Sequence, residues 1–183
     1  MNHEIIPLPK EQWKGFILPM AYTAEEYYDV SVQRTEKGFC VNISKEKFEA
    51  PVSHTPEEYD FPDRLYADWW ENACAWGVLK EGRPVAVIET APEEYSNRLR
   101  VTELWVSDKY QKQGLGHALM EVAIAQARRE GKRAVILETQ SCNVNAIGFY
   151  LHEGFTLIGM DTCSYKNNDP QRREVRLEMG LLL

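Results

Sequence analysis

The stretch from Leu104 to His117 holds the residues whose types and spacing best suit a chemical task. It runs Leu-Trp-Val-Ser-Asp-Lys-Tyr-Gln-Lys-Gln-Gly-Leu-Gly-His, so an apolar run ends, a polar turn follows, and two glycines open a helical pattern. Glycines let a backbone approach a ligand closely, and the free N–H groups at the start of a helix attract anions. The pattern therefore predicts a pyrophosphate site on the backbone of 112–117, with Lys112 adding charge. A tight packing turn is the other interpretation of the glycines.

Other motifs for phosphate or hydrolytic chemistry do not fit this chain. A Walker A loop requires Gly-Lys-Ser/Thr, and a dinucleotide fingerprint requires a third glycine or alanine where the chain has Leu119. The Gly-x-Ser-x-Gly elbow of serine hydrolases is absent from the sequence as well. Histidines and cysteines show no metal-ligand spacing, so we expect no metal site and reduced thiols at Cys40, Cys74, Cys142 and Cys163.

Composition and charge restrict the class of protein. The chain has 183 residues, 44% of them hydrophobic and 27% charged, which is ordinary for one globular domain. Its net charge of −7 disfavours a nucleic-acid binder. No apolar run is long enough for a transmembrane helix, and Met1–Glu4 lacks the pattern of a signal peptide. We therefore expect a cytoplasmic protein that is not bound to a membrane.

The charge is divided unevenly along the chain. Residues 1–95 hold nine Lys/Arg and eighteen Asp/Glu, whereas residues 96–183 hold twelve and ten. An acidic first half suits a cationic ligand, although solvated surface acids explain the same counts. The charge alone leaves both interpretations open.

The elements that must position the glycine-rich stretch follow from the surrounding periodicity. Arg98–Val106 is predicted as a strand whose buried positions switch near Thr102–Glu103, where a bulge or a change of face fits. A helix is predicted over 114–130, because apolar residues recur at helical spacing and Gly131 follows as a cap. Ala134–Leu137 is predicted as a short buried strand, parallel to the strand before the helix.

The remaining chain predicts further strands and helices. Thr23 and Glu26 form a capping-box pattern that predicts a helix through Tyr28. Val30–Val32 is expected to pair with Phe39–Ile43 as a hairpin. The other predicted elements are strands over 3–8, 73–79, 84–90, 155–162 and 175–183, a helix over 143–152, and a proline-broken acidic loop over 49–63. Together they predict an α/β fold with a mixed central sheet of about six to seven strands, flanked by helices, around one strand–helix–strand unit.

Two blocks of sequence resemble the GNAT superfamily of N-acetyltransferases. The first, Gln111-x-x-Gly114-x-Gly116 after a strand, is similar to the acetyl-CoA signature. The second resembles the strand–helix–strand end of the superfamily and reads Leu137-Glu138-Thr139, then Asn143-x-x-Ala146-Ile147-x-Phe149-Tyr150-x-x-x-Gly154-Phe155. The resemblance implies a GNAT-like fold, one N-acetyltransferase domain over 1–183, and acetyl-CoA as co-substrate. It also implies that 1–95 is mainly the acceptor side and that 96–183 is the acetyl-CoA-binding core.

Three further stretches resemble the streptothricin (nourseothricin) acetyltransferases. They are Asn97-Arg98-Leu99-x-Val101, Gly154-Phe155-Thr156-Leu157-x-Gly159-x-Asp161-Thr162-x-x-Tyr165, and the region of Gly38-Phe39. Those enzymes carry a Glu-Asp pair where this chain has Thr102-Glu103, so one carboxylate is missing from the strand. The resemblance implies acetylation of the β-lysine amine of streptothricin, a cationic antibiotic. The alternatives are a GNAT enzyme acting on a protein lysine, an N-terminal amine or a polyamine, and a non-catalytic acyl-CoA-binding sensor.

The resemblance also implies roles for residues of both blocks. Tyr150 matches the general-acid tyrosine that protonates the departing thiolate, although core packing also explains its spacing. Asn143 matches the residue that holds the pantetheine arm, and it suits an N-cap as well. The implied cofactor-binding residues are Leu104, Trp105, Val106, Gln111, Lys112, Gln113, Gly114, Leu115, Gly116, His117, Asn143 and Tyr150.

Transfer to an alkylamine needs a base, because an amine with a pKa of ~10.4 is protonated at neutral pH. Glu103 and Glu89, on neighbouring predicted strands, are the first candidates for a carboxylate that takes this proton. Glu138 is the third, and an exposed acid or an ion-pair partner is the alternative for each. A backbone N–H freed at a bulge near Leu104–Val106 is the expected donor to the developing oxyanion.

The acceptor side is expected to be acidic and aromatic. Trp70, Asp161 and Tyr165 are the candidate substrate-binding residues. Trp69 and Trp76 offer further faces for cation–π contact, with packing in the core as the other interpretation. The acidic residues expected to attract a cation are Glu57, Glu58, Asp60, Asp63, Glu103 and Asp161. The expected partner is thus a cationic small-molecule amine, and the sequence leaves open whether the chain forms a homodimer.

Overall fold

The computed structural model describes residues 4–58 and 62–183. The described residues form nine strands: β1 (Ile6–Pro7), β2 (Tyr22–Thr35), β3 (Gly38–His54), β4 (Cys74–Lys80), β5 (Arg83–Glu93), β6 (Arg98–Val106), β7 (Ala134–Gln140), β8 (Thr156–Asp161) and β9 (Arg176–Leu182). They also form four α-helices: α1 (Lys10–Trp13), α2 (Leu115–Arg129), α3 (Val144–His152) and α4 (Asp169–Arg172). No helix within these described ranges is both long and apolar enough to cross a membrane.

Seven strands form one mixed sheet in the order β1-β4-β5-β6-β7-β9-β8, and β2 and β3 form a separate two-stranded sheet. β6 and β7 run parallel, whereas the pairs β1–β4, β4–β5, β5–β6 and β8–β9 are antiparallel. Parallel neighbours need a crossover connection, and α2 supplies it between β6 and β7. The sheet confirms the predicted α/β class and its strand–helix–strand unit.

The chain divides into two compact units. The first comprises Met1–Met20, Pro56–Leu137 and Leu181–Leu183, and the second comprises Ala21–Thr55 and Glu138–Gly180. The single N-acetyltransferase domain stays a prediction, as does its division at residue 95.

The first unit is built on the hairpin of β4 and β5 and on the helix α2. One apolar cluster of this unit consists of Leu8, Leu18, Leu65, Tyr66, Ala75 and Val87. The helix packs on β5 and β6 and buries Leu115, Leu119, Met120, Ala123, Ile124 and Ala127. Its C-terminal turn is followed by Gly131 at a φ of 66°, as the helix-cap pattern predicted. This packing fixes the start of α2, where the glycine-rich stretch lies.

The strand β6 contains a bulge at the position where the buried pattern switches. The register with β5 skips Thr102, because Val101 and Glu103 pair with consecutive β5 residues. An extra residue in one strand reverses the faces of the residues beyond it, which confirms the predicted change of face. The pairing is regular again at Leu104–Val106, so the bulge expected there as the source of an oxyanion donor lies earlier in the strand.

The helix predicted from Thr23 to Tyr28 is wrong, because this segment belongs to β2. Thr23 Oγ1 lies 3.2 Å from Ser53 Oγ on β3. The Glu26 carboxylate lies 2.9 Å from Lys45 Nζ, also on β3. Both side chains therefore bond across the two strands and do not cap a helix. Half of the residues of β2 are β-branched or aromatic, and pairing with a long partner strand outweighs a local capping signal.

The proline-broken loop predicted over 49–63 is strand in its first part, because β3 continues into it. Pro51 lies in the irregular stretch where the partners of β2 jump from Val52 to Lys47. A proline is tolerated there, since no regular ladder bond is required of it. Asp60, one of the predicted cation-attracting acids, lies outside the described residues.

The second unit has its own apolar cluster. It consists of Val30, Ile147, Val175 and Leu177, with Tyr28, Ile43 and Met160 packed against it. The predicted hairpin is confirmed, since Val30 pairs with Ile43, and α3 packs on β2. The cluster thus fixes the helix that carries the second sequence block.

The ends of the remaining strands differ only slightly from the prediction. β4, β5, β8 and β9 are confirmed within a few residues. β1 is shorter than the predicted strand over 3–8, whose first residue, His3, lies outside the described residues. The short helix α4, which has a proline in its first turn, was not predicted.

Candidate active site

The loop between β6 and α2 has the geometry of an anion-binding backbone. A 3-10 turn at Asp108–Tyr110 follows β6, and both Lys112 and Gly114 are left-handed, at φ values of 57° and 82°. A Cβ added at Gly114 meets no atom within 4 Å, so the space beside this backbone is open. Left-handed residues in such a turn direct successive N–H groups into one concave surface. The first turn of α2 contains no acidic residue, so the positive end of the helix dipole is not neutralised locally.

The predicted cofactor-binding glutamines use their side chains to hold this loop. Gln111 Nε2 donates to Val106 O at 3.1 Å and to Asp108 Oδ1 at 2.9 Å. Gln113 Nε2 donates to Lys109 O at 3.0 Å. These bonds leave the backbone N–H groups, not the amide side chains, as the groups available to a ligand.

The other predicted cofactor residues of this stretch differ in exposure. Leu115 is buried in the core, so only its backbone faces the loop. Lys112 and His117 are exposed, and Gly116 is half-buried. Leu104, Trp105 and Val106 are half-buried in β6, and Trp105 packs against the apolar cluster of the first unit.

The strand β6 extends beyond its pairing with β7. The parallel register joins Arg98–Arg100 to Ala134–Ile136, and β6 continues from there to Val106. Its opposite edge stays paired with β5 up to Val106. The segment Leu104–Val106 thus supplies strand backbone next to the glycine-rich loop.

Glu89 and Glu103, the two leading candidates for the base, are direct cross-strand partners. Residues paired in this way place their side chains on the same face of a sheet. Glu103 is half-buried, whereas Glu89 has no exposed surface. Burial raises the pKa of the Glu89 carboxyl above its usual range, against the lowering effect of hydrogen bonds from the Tyr66 N–H and the Thr102 hydroxyl.

The third candidate base, Glu138, is an ion-pair partner. Arg176 Nη2 lies 2.5 Å from Glu138 Oε2, and the same guanidinium also pairs with Glu178. This is the alternative that the sequence left open for Glu138, and the arginine stabilises its charged form.

The helix α3 carries Asn143 and Tyr150 at its two ends. Asn143 Oδ1 accepts a hydrogen bond from Ala146 N at 3.2 Å, so the predicted N-cap is confirmed. Tyr150 is 9% exposed. Its ring centroid lies 5.5 Å from that of Phe149 and 6.1 Å from that of Phe155. The tyrosine therefore packs in an aromatic environment, as the alternative interpretation required, and its ring is held in one place.

A cleft of about 380 Å³ in the second unit has Asn143 in its lining and was not predicted. Its walls are Tyr22, Thr23, Ala24, Glu25, Glu26, Lys47, Cys142, Asn143, Val144 and Asn145. Tyr22 Oη donates to Gln140 Oε1 at 2.5 Å and lies 3.3 Å from Cys142 Sγ. The wall was missed because residues 23–28 were predicted as a helix. It forms only when β2 pairs with β3.

Cys142 is expected to be the slowest of the four cysteines to react. It is buried, whereas Cys40, Cys74 and Cys163 are exposed. Burial raises the pKa of the Cys142 thiol to about 11, and the thiolate is the reactive form. We expect iodoacetamide at pH 8 to modify the three exposed cysteines of the folded protein and to leave Cys142 unmodified, as measured by peptide mass spectrometry. Urea-unfolded protein is the control and should react at all four; modification of folded Cys142 at the rate of the others would contradict the prediction.

The three predicted substrate-binding residues are divided between the two units. Trp70 is half-buried in the first unit, and its backbone N–H donates to Ala67 O at 3.0 Å. Asp161 Oδ1 accepts from Cys163 N at 2.9 Å, and the Tyr165 N–H donates to a buried aspartate, Asp169. These contacts shape the local turns, and the three roles in binding stay predictions.

The further aromatic and acidic residues also have defined surroundings. Trp69 is 58% exposed, with the Arg64 guanidinium 5.6 Å from its ring centroid, whereas Trp76 is half-buried in β4. The acids Glu57 and Glu58 lie in a 3-10 turn, and Asp63 is exposed.

Comparison with known proteins gives the class. A sequence profile of the acetyltransferase (GNAT) family matches residues 39–155. The chain therefore belongs to the GNAT family of acetyltransferases, which confirms the predicted family and its enzymatic class.

Within that family, the chain is similar to streptothricin acetyltransferases. It is 28% identical over 140 residues to streptothricin acetyltransferase of Escherichia coli, covering 76% of this chain and 79% of that protein. It is 34% identical over 124 residues to streptothricin acetyltransferase A of Bacillus subtilis (strain 168), covering 68% and 70%.

Solved structures show the same fold. A nourseothricin acetyltransferase superposes with a TM-score of 0.74 at 21% identity, covering 98% of both chains. A putative streptothricin acetyltransferase from Bacillus anthracis str. Ames, solved in complex with acetyl coenzyme A, superposes with a TM-score of 0.73 at 20% identity, covering 100% of this chain and 98% of that one. The likeness confirms the predicted GNAT fold.

Proposed function

We propose that this acetyltransferase transfers the acetyl group of acetyl-CoA to a primary amine of a cationic small molecule, and that the amine is the β-lysine amine of streptothricin. The observation that carries the proposal is the loop of Lys112 and Gly114 at the start of α2, whose left-handed residues and open space suit a pyrophosphate. The similarity to streptothricin acetyltransferases supports the acceptor.

The residues of the loop fit acetyl-CoA as a co-substrate. The backbone of 112–117 binds the pyrophosphate, and exposed Lys112 adds positive charge. Asn143 holds the pantetheine arm with its amide N–H₂, since its Oδ1 is used in capping α3. When bound, acetyl-CoA supplies an activated thioester, and the protein supplies orientation and proton transfer.

Three groups of the chain carry the proton and charge changes. Glu103 accepts the proton of the acceptor ammonium through a water molecule, which leaves a nucleophilic amine. Backbone N–H groups of Leu104–Val106 that point away from β5, along the edge beyond the pairing with β7, donate to the carbonyl oxygen as it becomes negative. The amine attacks the thioester carbonyl and forms the C–N bond, and Tyr150 donates its proton to the sulfur as the C–S bond breaks. The nitrogen loses its second proton as the amide forms, and this proton returns Tyr150 to its neutral form through water. The products are an amide and free CoA.

The acceptor side binds a cation. In the first unit, Glu103 and Glu89 lie on the same face of the sheet. Trp70 offers an aromatic ring for a cation–π contact. In the second unit, Asp161 and Tyr165 are the corresponding candidates. A ligand with several ammonium groups matches the excess of acids in residues 1–95.

A substrate panel tests the proposal directly. The panel contains streptothricin, free lysine, spermidine and a lysine-containing peptide. The release of CoA measures the rate of each reaction, and mass spectrometry of the product locates the acetyl group. We expect streptothricin to have a kcat/KM at least about tenfold above the other amines, with the acetyl group on the β-lysine moiety. Equal or faster turnover of lysine or spermidine would reject streptothricin as the acceptor. Binding of CoA without turnover of any amine would favour an acyl-CoA-binding sensor.

The cytoplasmic location and the absence of a metal and of nucleic-acid or membrane partners stay predictions, and the oligomeric state stays open. Metal independence is measured in the same assay, where excess EDTA is expected to leave the rate unchanged. The oligomeric state is measured by light scattering.

A further inference from the structure

We infer that Glu89 is a positioning residue: its buried carboxylate fixes the β6 bulge and the segment around Tyr66, and so places Glu103 and Trp70 for the acceptor. The inference rests on the proposed function, in which Glu103 takes the amine proton. It assigns Glu89 a different role from that of a base, and it explains why an acid lies beneath the acceptor side.

Both oxygens of the Glu89 carboxylate are engaged within the first unit. Oε1 accepts from Thr102 Oγ1 at 2.8 Å, and Oε2 accepts from Tyr66 N at 2.5 Å. The residue has no exposed surface. A group that takes a proton from a bound amine, or from a water beside it, must reach that site. Glu89 instead reaches two structural donors.

The bond to Thr102 controls where Glu103 lies. Thr102 is the extra residue of the bulge, and its hydroxyl is anchored to the β5 carboxylate. In an unbulged strand, Thr102 would stand opposite Glu89, and Glu103 would point to the other face. With the bulge, Glu103 is on the face that it shares with Glu89. The carboxylate thus stabilises the register on which the proposed base depends.

The bond to Tyr66 fixes a strained segment that leads to the tryptophans. Tyr66 has a φ of 56°, and this left-handed conformation is unfavourable for a residue with a side chain. Its N–H is held by Glu89, while its hydroxyl donates to Leu8 O and accepts from Ala75 N at 3.1 Å. The chain then continues to half-buried Trp70. Removal of the carboxylate would release this conformation, because the buried amide would lose its acceptor.

Substitutions of Glu89 separate positioning from base catalysis. In Glu89→Gln the amide oxygen still accepts from Tyr66 N, and its N–H₂ donates to the Thr102 hydroxyl, which rotates to accept. Positioning therefore predicts that Glu89→Gln keeps kcat within about threefold of the wild type, with the same pH profile, whereas Glu89→Leu lowers kcat at least about 30-fold. A base at this position predicts that both variants lose activity equally, and that result overturns the inference. Wild-type kcat in folded Glu89→Leu overturns it too.

Substitutions of Thr102 provide the second test, in case Glu89→Leu does not fold. Thr102→Val removes the hydroxyl and keeps the shape, so we expect kcat to fall about tenfold while the KM for acetyl-CoA is unchanged; Thr102→Ser should restore kcat. Thr90→Val is the matched control, because the Thr90 hydroxyl makes a buried bond of the same length, 2.8 Å to Gln126 Oε1. That bond lies on the opposite face, so Thr90→Val should leave kcat unchanged at a temperature where it is folded. An equal effect of the two valine variants, or none from Thr102→Val, contradicts positioning.

A measurement without substrate keeps this inference distinct from the proposed function. Amide hydrogen exchange in the free protein should be at least about tenfold faster at Tyr66 in Glu89→Leu than in the wild type, and unchanged in Glu89→Gln. Exchange at Tyr66 that is identical in all three proteins rejects the positioning role. Absence of acetyl transfer by the wild type to any amine of the panel rejects the proposed function, and the exchange experiment still decides the role of Glu89.

Discussion

Tyr150→Phe is expected to lower kcat at least about 100-fold while the affinity for CoA is retained. The substitution removes only the hydroxyl that we propose as the proton donor to sulfur. A thiolate leaving without a proton donor is the less stable product, so the barrier for C–S cleavage rises. The affinity is retained because the contacts of Asn143 and of the loop 112–117 are not altered.

The packing of Tyr150 allows this substitution to remove the hydroxyl without changing the fold. The ring is buried against Phe149 and Phe155, and a phenylalanine fills the same volume in the same rotamer. We therefore expect the melting temperature of the variant to remain within a few degrees of the wild type. Loss of activity then reports on the hydroxyl rather than on the fold.

Single-turnover and steady-state kinetics measure the effect, and calorimetry measures the CoA affinity. Tyr28→Phe is the matched control, because Tyr28 also packs against the apolar cluster of the second unit and has no role in the proposed reaction. It should keep the wild-type kcat. If Tyr150→Phe turns over streptothricin at the wild-type rate, the tyrosine is a packing residue only.

Gly114→Asp is expected to weaken CoA binding at least about 100-fold. A carboxylate about 4 Å from a phosphate is repelled by about 4 kcal/mol at an effective dielectric constant of 20. The new side chain also fills the open space beside the loop, where a Cβ meets no protein atom within 4 Å. The fold tolerates the change, because aspartate is among the residues that adopt the left-handed conformation of Gly114, at a cost of roughly 1–2 kcal/mol.

Two further variants isolate the cause of the lost affinity. Gly82→Asp has the same backbone strain, with a φ of 76° and open space, but lies in the turn between β4 and β5. It should bind CoA as the wild type does. Gly114→Ala adds a methyl group without charge and should give an intermediate affinity. Calorimetric Kd values that are equal for the wild type and Gly114→Asp would place the pyrophosphate elsewhere.

Local patterns predicted the elements that surround the cofactor loop. Glycine takes the left-handed conformation at no steric cost, and so the helix cap at Gly131 was predicted from its position after the helical pattern. The bulge at Thr102 was visible as well, because the buried positions along β6 change from odd to even. Asn143 was correctly placed as an N-cap from its position before an apolar helical pattern.

The errors came from segments whose structure depends on distant partners. Thr23 and Glu26 match a helix start locally, yet their bonds go to Ser53 and Lys45, about 20 to 30 residues later in the sequence. The cleft beside Tyr22 was missed for the same reason. Strand pairing is a non-local interaction, and a local capping signal of about 1 kcal/mol does not outweigh a full ladder.

The sequence by itself determined the family, the strand–helix–strand unit and the loop that we propose for acetyl-CoA, because each is encoded within a short window of residues. Only the tertiary structure distinguishes the surroundings of the candidate carboxylates. In the sequence, Glu89 and Glu103 are both glutamates on neighbouring predicted strands, and nothing distinguishes them. In the structure, Glu89 is a buried hydrogen-bond acceptor and Glu103 is half-buried. Glu138 became an ion-pair partner through Arg176, a residue far along the chain. The role of a carboxylate is set by burial and by its partners in space, and these are properties of the folded chain.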